Sequence, residues 1–330
     1  MSKKPVAKII VILIATILVI GGAGAYWLWQ GFQPFEPGSQ AEVEIVIPKG
    51  SSVKAISQQL AEKGLIKSPL HWQIVVKQKG IANQIQAGSF TLSPGSTSAE
   101  IAQQLTEGTN DLWVTIKEGW RAGEIGDYLA NILPNFSADG EAFNSECLAY
   151  EGYLYPETYL VPKEYDTKQM CQLLRRQYGE VLTMERREAI HQAGFTEEEI
   201  ITLASIIERE AKRPTDMKVV SGILHNRLEL GMPLQVDATL QYIKGYDETN
   251  QTWWPTALSA DKQLSSPYNT YANPGLPPGP ICNPGENAIL AAMEPTSSNY
   301  LYYISNSDGS QMHYAETYEQ HQQNINQYLR

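Results

Sequence analysis

The longest unbroken apolar run comes first. No charge falls between Lys8 and Glu36, and Ile9 to Trp29 supplies the ~20 apolar residues that a helix needs to cross a membrane. After a short linker the rhythm changes to three copies of one pattern. "VIPKGSSVKAISQQL" sets Gly50, Ile56 and Leu60. "TLSPGSTSAEIAQQL" sets Gly95, Ile101 and Leu105. "TIKEGWRAGEIGDYL" sets Gly119, Ile125 and Leu129. In each, a β-rich lead reaches a glycine. An apolar residue follows six positions on and another four after that, an (i, i+4) pair on one helix face. Each copy therefore predicts strand, turn and short helix. Between the first two, "SPLHWQIVVKQKG" predicts a further amphipathic helix with Ser68 as a candidate cap.

Beyond residue 130 the spacing is mostly helical. "EGYLYPETYLVP" (151–162) reads as loop and strand, 167–194 as a helical block, and 196–230 as two more helices. Residues 250–285 are rich in Pro, Asn, Tyr and Gly. "NYLYYISNSDGSQMHYAET" alternates and predicts a hairpin turning at Asp308 and Gly309, before a last helix over 321–329.

One helix carries unusual polar positions. Thr196 with Glu199 marks its start as a capping box, and Pro214 follows its end. Ile200, Leu203, Ala204, Ile207 and Ala211 make an apolar stripe, and Arg209 points to water. At ~100° per residue, Glu208 and Glu210 fall roughly 160° apart, one on each shoulder. They cannot form a close carboxylate pair of the glycosidase kind. Glu210 has Leu203, Ile206 and Ile207 beside it, and Glu208 has Ile201 and Ala204. Desolvation raises a carboxyl pKa, which a general acid needs near neutral pH. On this stretch alone, shoulder glutamates usually face solvent and carry no function.

Charge and composition narrow the classes. The 330 residues are 42% apolar and 18% charged, which suits a globular chain of two units. Lys3, Lys4 and Lys8 precede the apolar run and place the N-terminus in the cytoplasm. Tyr26, Trp27 and Trp29 suit the outer interface. A cleaved signal peptide is the alternative, since Ala23-Gly24-Ala25 resembles a cleavage site. All 36 acidic residues and 22 of the 25 basic ones follow, so the remainder carries about −14 and no basic cluster. That argues against nucleic acid or anionic lipid headgroups as a partner. Cys147, Cys171 and Cys282 make neither a metal spacing nor a closed disulfide framework, and each reads as a buried thiol. His225, His313 and His321 lack zinc-site context, and no G-x-S-x-G elbow appears, so no metal and no cofactor is expected.

"LQVDATLQY" offers Gln235 and Asp237 as partners of sugar hydroxyls or as groups that orient Glu210. Asp237 as a helix N-cap is the alternative. "PYNTY" offers Tyr268 and Tyr271 for sugar faces and Asn269 for an acetamido group. A rigid loop packed for shape is the alternative there.

Two resemblances add to this reading. Residues 43–110 resemble the LysM glycan-binding modules. "LASIIEREA", "HNRLELGMPLQVDATLQY", "SSPYNTYANPGLPPGPICNPG" and "EGYLYPETY" together resemble the YceG-like (MltG-type) endolytic murein transglycosylases, over about 43–330. The stretch Asp247–Gln263 departs from that pattern, and "YPETY" stands where a Phe-Pro-Asp core is expected. The resemblance implies an α+β fold in which a transmembrane helix (9–29) follows a cytoplasmic N-terminus (1–8). A linker (30–42), a LysM-like module (43–110) and a catalytic domain with a helical core (111–330) come after it. It implies Glu210 as catalytic acid and peptidoglycan glycan strands as substrate. The bond cut joins N-acetylmuramic acid to N-acetylglucosamine and leaves 1,6-anhydromuramyl ends. The expected location is the bacterial plasma membrane, single-pass, with the catalytic domain outside the cytoplasm and cell-wall synthesis proteins as partners. A non-catalytic peptidoglycan-binding scaffold and a hydrolytic muramidase remain the alternatives.

Overall fold

The computed structural model describes Thr16, residues 19–24, Tyr26, Trp27 and residues 29–329. About half of the membrane helix expected over 9–29 lies outside these. Among the described residues no helix is long and apolar enough to cross a membrane. The chain forms two compact units, residues 1–114 with 159–163, and residues 115–158 with 164–330.

The first unit runs β1 (Val43–Ile47), α1 (Val53–Glu62), α2 (Pro69–Lys79), β2 (Gly88–Leu92), α3 (Ser98–Glu107) and β3 (Asp111–Thr115), which ends at the border with the second unit. β1 and β2 pair antiparallel, with Val43 opposite Leu92 and Ile47 opposite Gly88. Ile56, Leu60, Ile101 and Leu105 are buried against Ile45, Trp72 and Phe90, so the predicted (i, i+4) pairs are the helices' core contacts. The repeated glycines have different reasons. Gly50 (φ +82°) and Gly119 (φ +76°) take left-handed backbone, whereas a side chain at Gly95 would overlap the Ser39 carbonyl. Ser68 opens α2 without capping it. Its hydroxyl bonds the His71 imidazole at 2.9 Å instead.

In the second unit α4 (Ala122–Ile132) completes the third copy of the pattern, with Ile125 and Leu129 buried. Its strand departs from the other two, because β3 pairs with β4 (Thr158–Pro162). α5 (Glu141–Glu146) and α6 (Thr167–Val181) are joined by a disulfide between Cys147 and Cys171, whose Cα atoms lie 5.5 Å apart. This corrects the reading of three free thiols. The partners stand 24 residues apart, a closeness that only the packing of α5 on α6 creates. Cys282 is the buried thiol that was expected.

After α7 (Met184–Gln192) comes the central helix, α8 (Glu197–Glu210), which packs against α9 (Pro214–Glu229), α10 (Asp237–Lys244) and α11 (Glu286–Met293). The predicted capping box at its start is present in both directions. Every residue from Ile200 to Ile207 is buried, so α8 has no solvent face there. Its buried polar groups are answered locally. Ser205 donates to the Thr202 carbonyl at 2.7 Å and accepts from the Ile281 amide at 3.0 Å. In α9, a side chain at Gly222 would overlap the Thr296 carbonyl, so that glycine lets the segment after α11 approach close to the helix. The hairpin forms as predicted, with β5 (Tyr302–Ser305) antiparallel to β6 (Met312–Ala315). α12 (Tyr318–Tyr328) follows it.

Candidate active site

α8 ends by delivering Glu210 into a cleft of about 710 Å³. The left-handed turn at Gly231 (φ +66°) closes α9 and brings the chain back past the end of α8. Leu234 and Val236 are buried on either side of Gln235, which is exposed to the cleft at φ +55°. Such backbone in a residue with a side chain is strained and needs support from its surroundings. The Gln235 amide supplies part of it by donating to the Thr270 carbonyl at 3.0 Å.

Glu210 itself is held at two points. The Tyr303 hydroxyl donates to Oε2 at 3.0 Å, and the Ala238 amide, in the first turn of α10, donates as well. Burial pushes the Glu210 carboxyl up to about 7, and Asp237 adds repulsion. The two hydrogen bonds and Arg209 pull the other way. Asp237 is the first helical residue of α10, not its cap. Its carboxylate accepts from the Tyr271 hydroxyl at 2.6 Å. Burial and that hydrogen bond raise the Tyr271 hydroxyl well above the usual phenol range. The site thus holds two tyrosine–carboxylate pairs side by side, one of them with a carboxyl poised near neutrality.

The cleft gathers Glu210, Gln235, Asp237 and Tyr271, all four named from the sequence. Tyr268 and Asn269 do not line it. Asn269 is fully buried, and its side-chain amide donates to the Lys262 and Leu264 carbonyls. Tyr268 packs on Tyr242, ring centres 5.0 Å apart. Both shape the loop that carries Tyr271.

Sequence reasoning missed Tyr303, Arg227, Tyr302, Lys262 and His321, all of which line the cleft. Arg227 is buried and donates to the Leu301 carbonyl at 2.7 Å and the Leu234 carbonyl at 2.6 Å, joining the hairpin to the Gln235 loop. The strand alternation does put Tyr303 and Tyr302 on opposite faces. Which face meets a helix 93 residues away is not a local property.

Glu208 lies apart from the cleft lining. Its carboxylate accepts from the Gly285 amide, 3.0 Å away, at the start of α11. Burial raises it to about 7 too, helped by Glu118. Arg209 does not point to water. Its guanidinium lies 3.7 Å over the Trp254 ring. Trp254 belongs to the stretch Asp247–Gln263, which is firmly tied down. Trp253 donates to Asp127 at 2.9 Å, Trp254 to Glu124 at 3.3 Å, Arg121 to the Trp253 carbonyl at 2.8 Å, and Lys244 to Asp261 at 3.0 Å. Glu151, of "EGYLYPETY", is a third carboxyl raised by burial to about 7. It accepts from the Ala122 amide at 2.9 Å and the Asn283 side chain at 3.1 Å.

A half-buried carboxyl in an open cleft walled by tyrosines, an amide and a second carboxylate suits proton transfer to a sugar polymer. Relatives carry the same implication in their names. An "Endolytic murein transglycosylase" of Bacillus subtilis is 31% identical over 94% of this chain and 91% of its own length. One of that name from Streptococcus pneumoniae is 26% identical over 98% of this chain and 65% of its own length. A crystal structure described as a YceG-like protein of Listeria monocytogenes superposes with a TM-score of 0.58 at 29% identity, covering 86% of this chain and 99% of that one. The model of the YceG-like family matches residues 45–327, and this chain belongs to that family.

Proposed function

We propose that this protein is an endolytic murein transglycosylase with Glu210 as its one acid–base residue. The observation that carries the reading is Glu210 itself, with its carboxyl raised to about 7 in the cleft and hydrogen-bonded by Tyr303 and Ala238. A group of that pKa holds its proton near neutral pH and releases it readily. It protonates the oxygen that links C1 of N-acetylmuramic acid to C4 of N-acetylglucosamine, and the C1–O bond breaks. The muramyl 6-hydroxyl then closes on C1, giving its proton to the Glu210 carboxylate. The bond lost is replaced by the C1–O6 bond of a 1,6-anhydromuramyl end. No water is consumed and Glu210 returns to its acid form, so neither metal nor cofactor is called for. Gln235, Asp237 and Tyr271 hold the sugars beside it.

Residues 43–110, whose order begins strand, two helices, strand, support a LysM-like role in holding the glycan. Val19, Ile20, Tyr26, Trp27 and Trp29 are all at least 56% exposed, which is unfavourable in water and supports an anchor in the plasma membrane with the bulk of the chain outside the cytoplasm. The disulfide accords with that side of the membrane.

Mass spectrometry of products from purified glycan strands tests the reaction. Anhydro ends, lighter by one water than reducing ends, are expected. Glu210→Gln keeps the shape without the transferable proton and should cost at least ~10²-fold in rate. Glu208→Gln should retain most of it, because the Gln carbonyl still accepts from Gly285. Reducing ends would instead make this a hydrolytic muramidase, and a dead Glu208→Gln beside an active Glu210→Gln would reverse the assignment.

A further inference from the structure

The cleft holds an unspent cation. Arg227 gives its hydrogen bonds to backbone carbonyls. Lys262 is exposed in the cleft wall, and its ammonium lies 4.5 Å over the Tyr271 ring. Among the described residues it has no carboxylate partner, although neighbouring Asp261 is paired with Lys244. The largest charge effects on Glu210 come from Asp237 and Arg209. Lys262 is not loose. The short 3-10 turn that carries it (Ser259–Gln263) is pinned by the Lys244–Asp261 pair, and Asn269 grips the Lys262 carbonyl at 3.1 Å. The segment before it is anchored through Trp253 and Trp254. An ammonium offers three donors and a compact charge. In an otherwise acidic chain, and lining the same cleft as Glu210 and Asp237, it is the exposed cation that can attract an anionic group there.

Resting on the reading of murein as substrate, we propose that Lys262 is a specificity-determining residue that binds a free carboxylate of the peptide carried on the muramyl sugar in the cleft. The sugar backbone occupies the Glu210, Gln235 and Asp237 side. The peptide leaves it toward the 259–263 turn, where its carboxylate meets the Lys262 ammonium above the Tyr271 ring. The enzyme thereby favours strands whose peptides keep that carboxylate free over strands in which it is amidated.

The test compares glycan strands bearing free peptide carboxylates with the same strands after chemical conversion of those carboxylates to carboxamides. Binding is measured on Glu210→Gln protein, so that no turnover is required. The free-acid strands should bind about three- to fivefold tighter, the size of an exposed ion pair, and added salt should reduce the difference. Adding Lys262→Gln should erase the preference, Lys262→Glu should invert it, and Lys262→Arg should keep it. Equal binding of the two strands by the parent, or a preference that survives Lys262→Gln, overturns the proposal. In active protein the same preference should appear in KM rather than kcat. If the binding preference is found but no anhydro product forms, the reaction assignment fails and the carboxylate site stands.

Discussion

At the scale of single residues, the decisive fact is that two glutamates two positions apart have different surroundings. Helical geometry alone separates Glu208 from Glu210, and a two-carboxylate pair on α8 was excluded on that ground. Apolar company pointed to Glu210, yet burial raises both to about 7. What distinguishes them is access. Glu210 opens on the cleft, whereas Glu208 is used at the start of α11. Tyr303 is the residue whose role could not be read in advance. Its hydroxyl stabilises the Glu210 carboxylate, so removing it should let burial act more fully. Tyr303→Phe should move the alkaline limb of the activity profile up by about one pH unit, the worth of one hydrogen bond to a charged group, with a severalfold loss of rate at pH optimum. A lower rate with an unmoved limb would leave Tyr303 a packing role alone.

At the scale of elements, periodicity was a good guide. The three glycine patterns became strand, turn and helix, with both apolar positions of each helix buried. Their partners were not legible, because strand pairing is made over distance. The first two strands meet each other and the third meets β4. The same limit applied to α8, where a stripe was expected and a wholly buried span is found. A helix packed by neighbours on all sides has no solvent face to mark in the sequence. The N-terminal element rests on its uncharged run and preceding lysines. Protease added to intact spheroplasts should remove the bulk of the chain while sparing the N-terminus. Complete protection would reverse the proposed topology.

For the molecule as a whole, three carboxyls set a pH dependence. Glu151, Glu208 and Glu210 go from 4.5 to about 7 on folding, above all through burial. Between those values the folded chain binds more protons than the unfolded one. Their contribution is full below 4.5 and is lost as pH rises through about 7. Melting followed by circular dichroism should give a Tm that falls from about pH 5 to about pH 8, and Glu151→Gln, neutral throughout, should flatten the fall. A Tm that rises over that range would contradict it. By itself the sequence determined the local features, among them the helix starts, the glycine turns, the final hairpin and the apolar N-terminal run. Spacing and local chemistry suffice for each of these. Only the tertiary structure decided that Cys147 meets Cys171, that Tyr303 holds Glu210, that Asn269 serves its loop rather than the cleft, and that Lys262 stands in the cleft wall over Tyr271. The first two depend on segments remote along the chain, brought together by burial of apolar surface that carries no record of its partner.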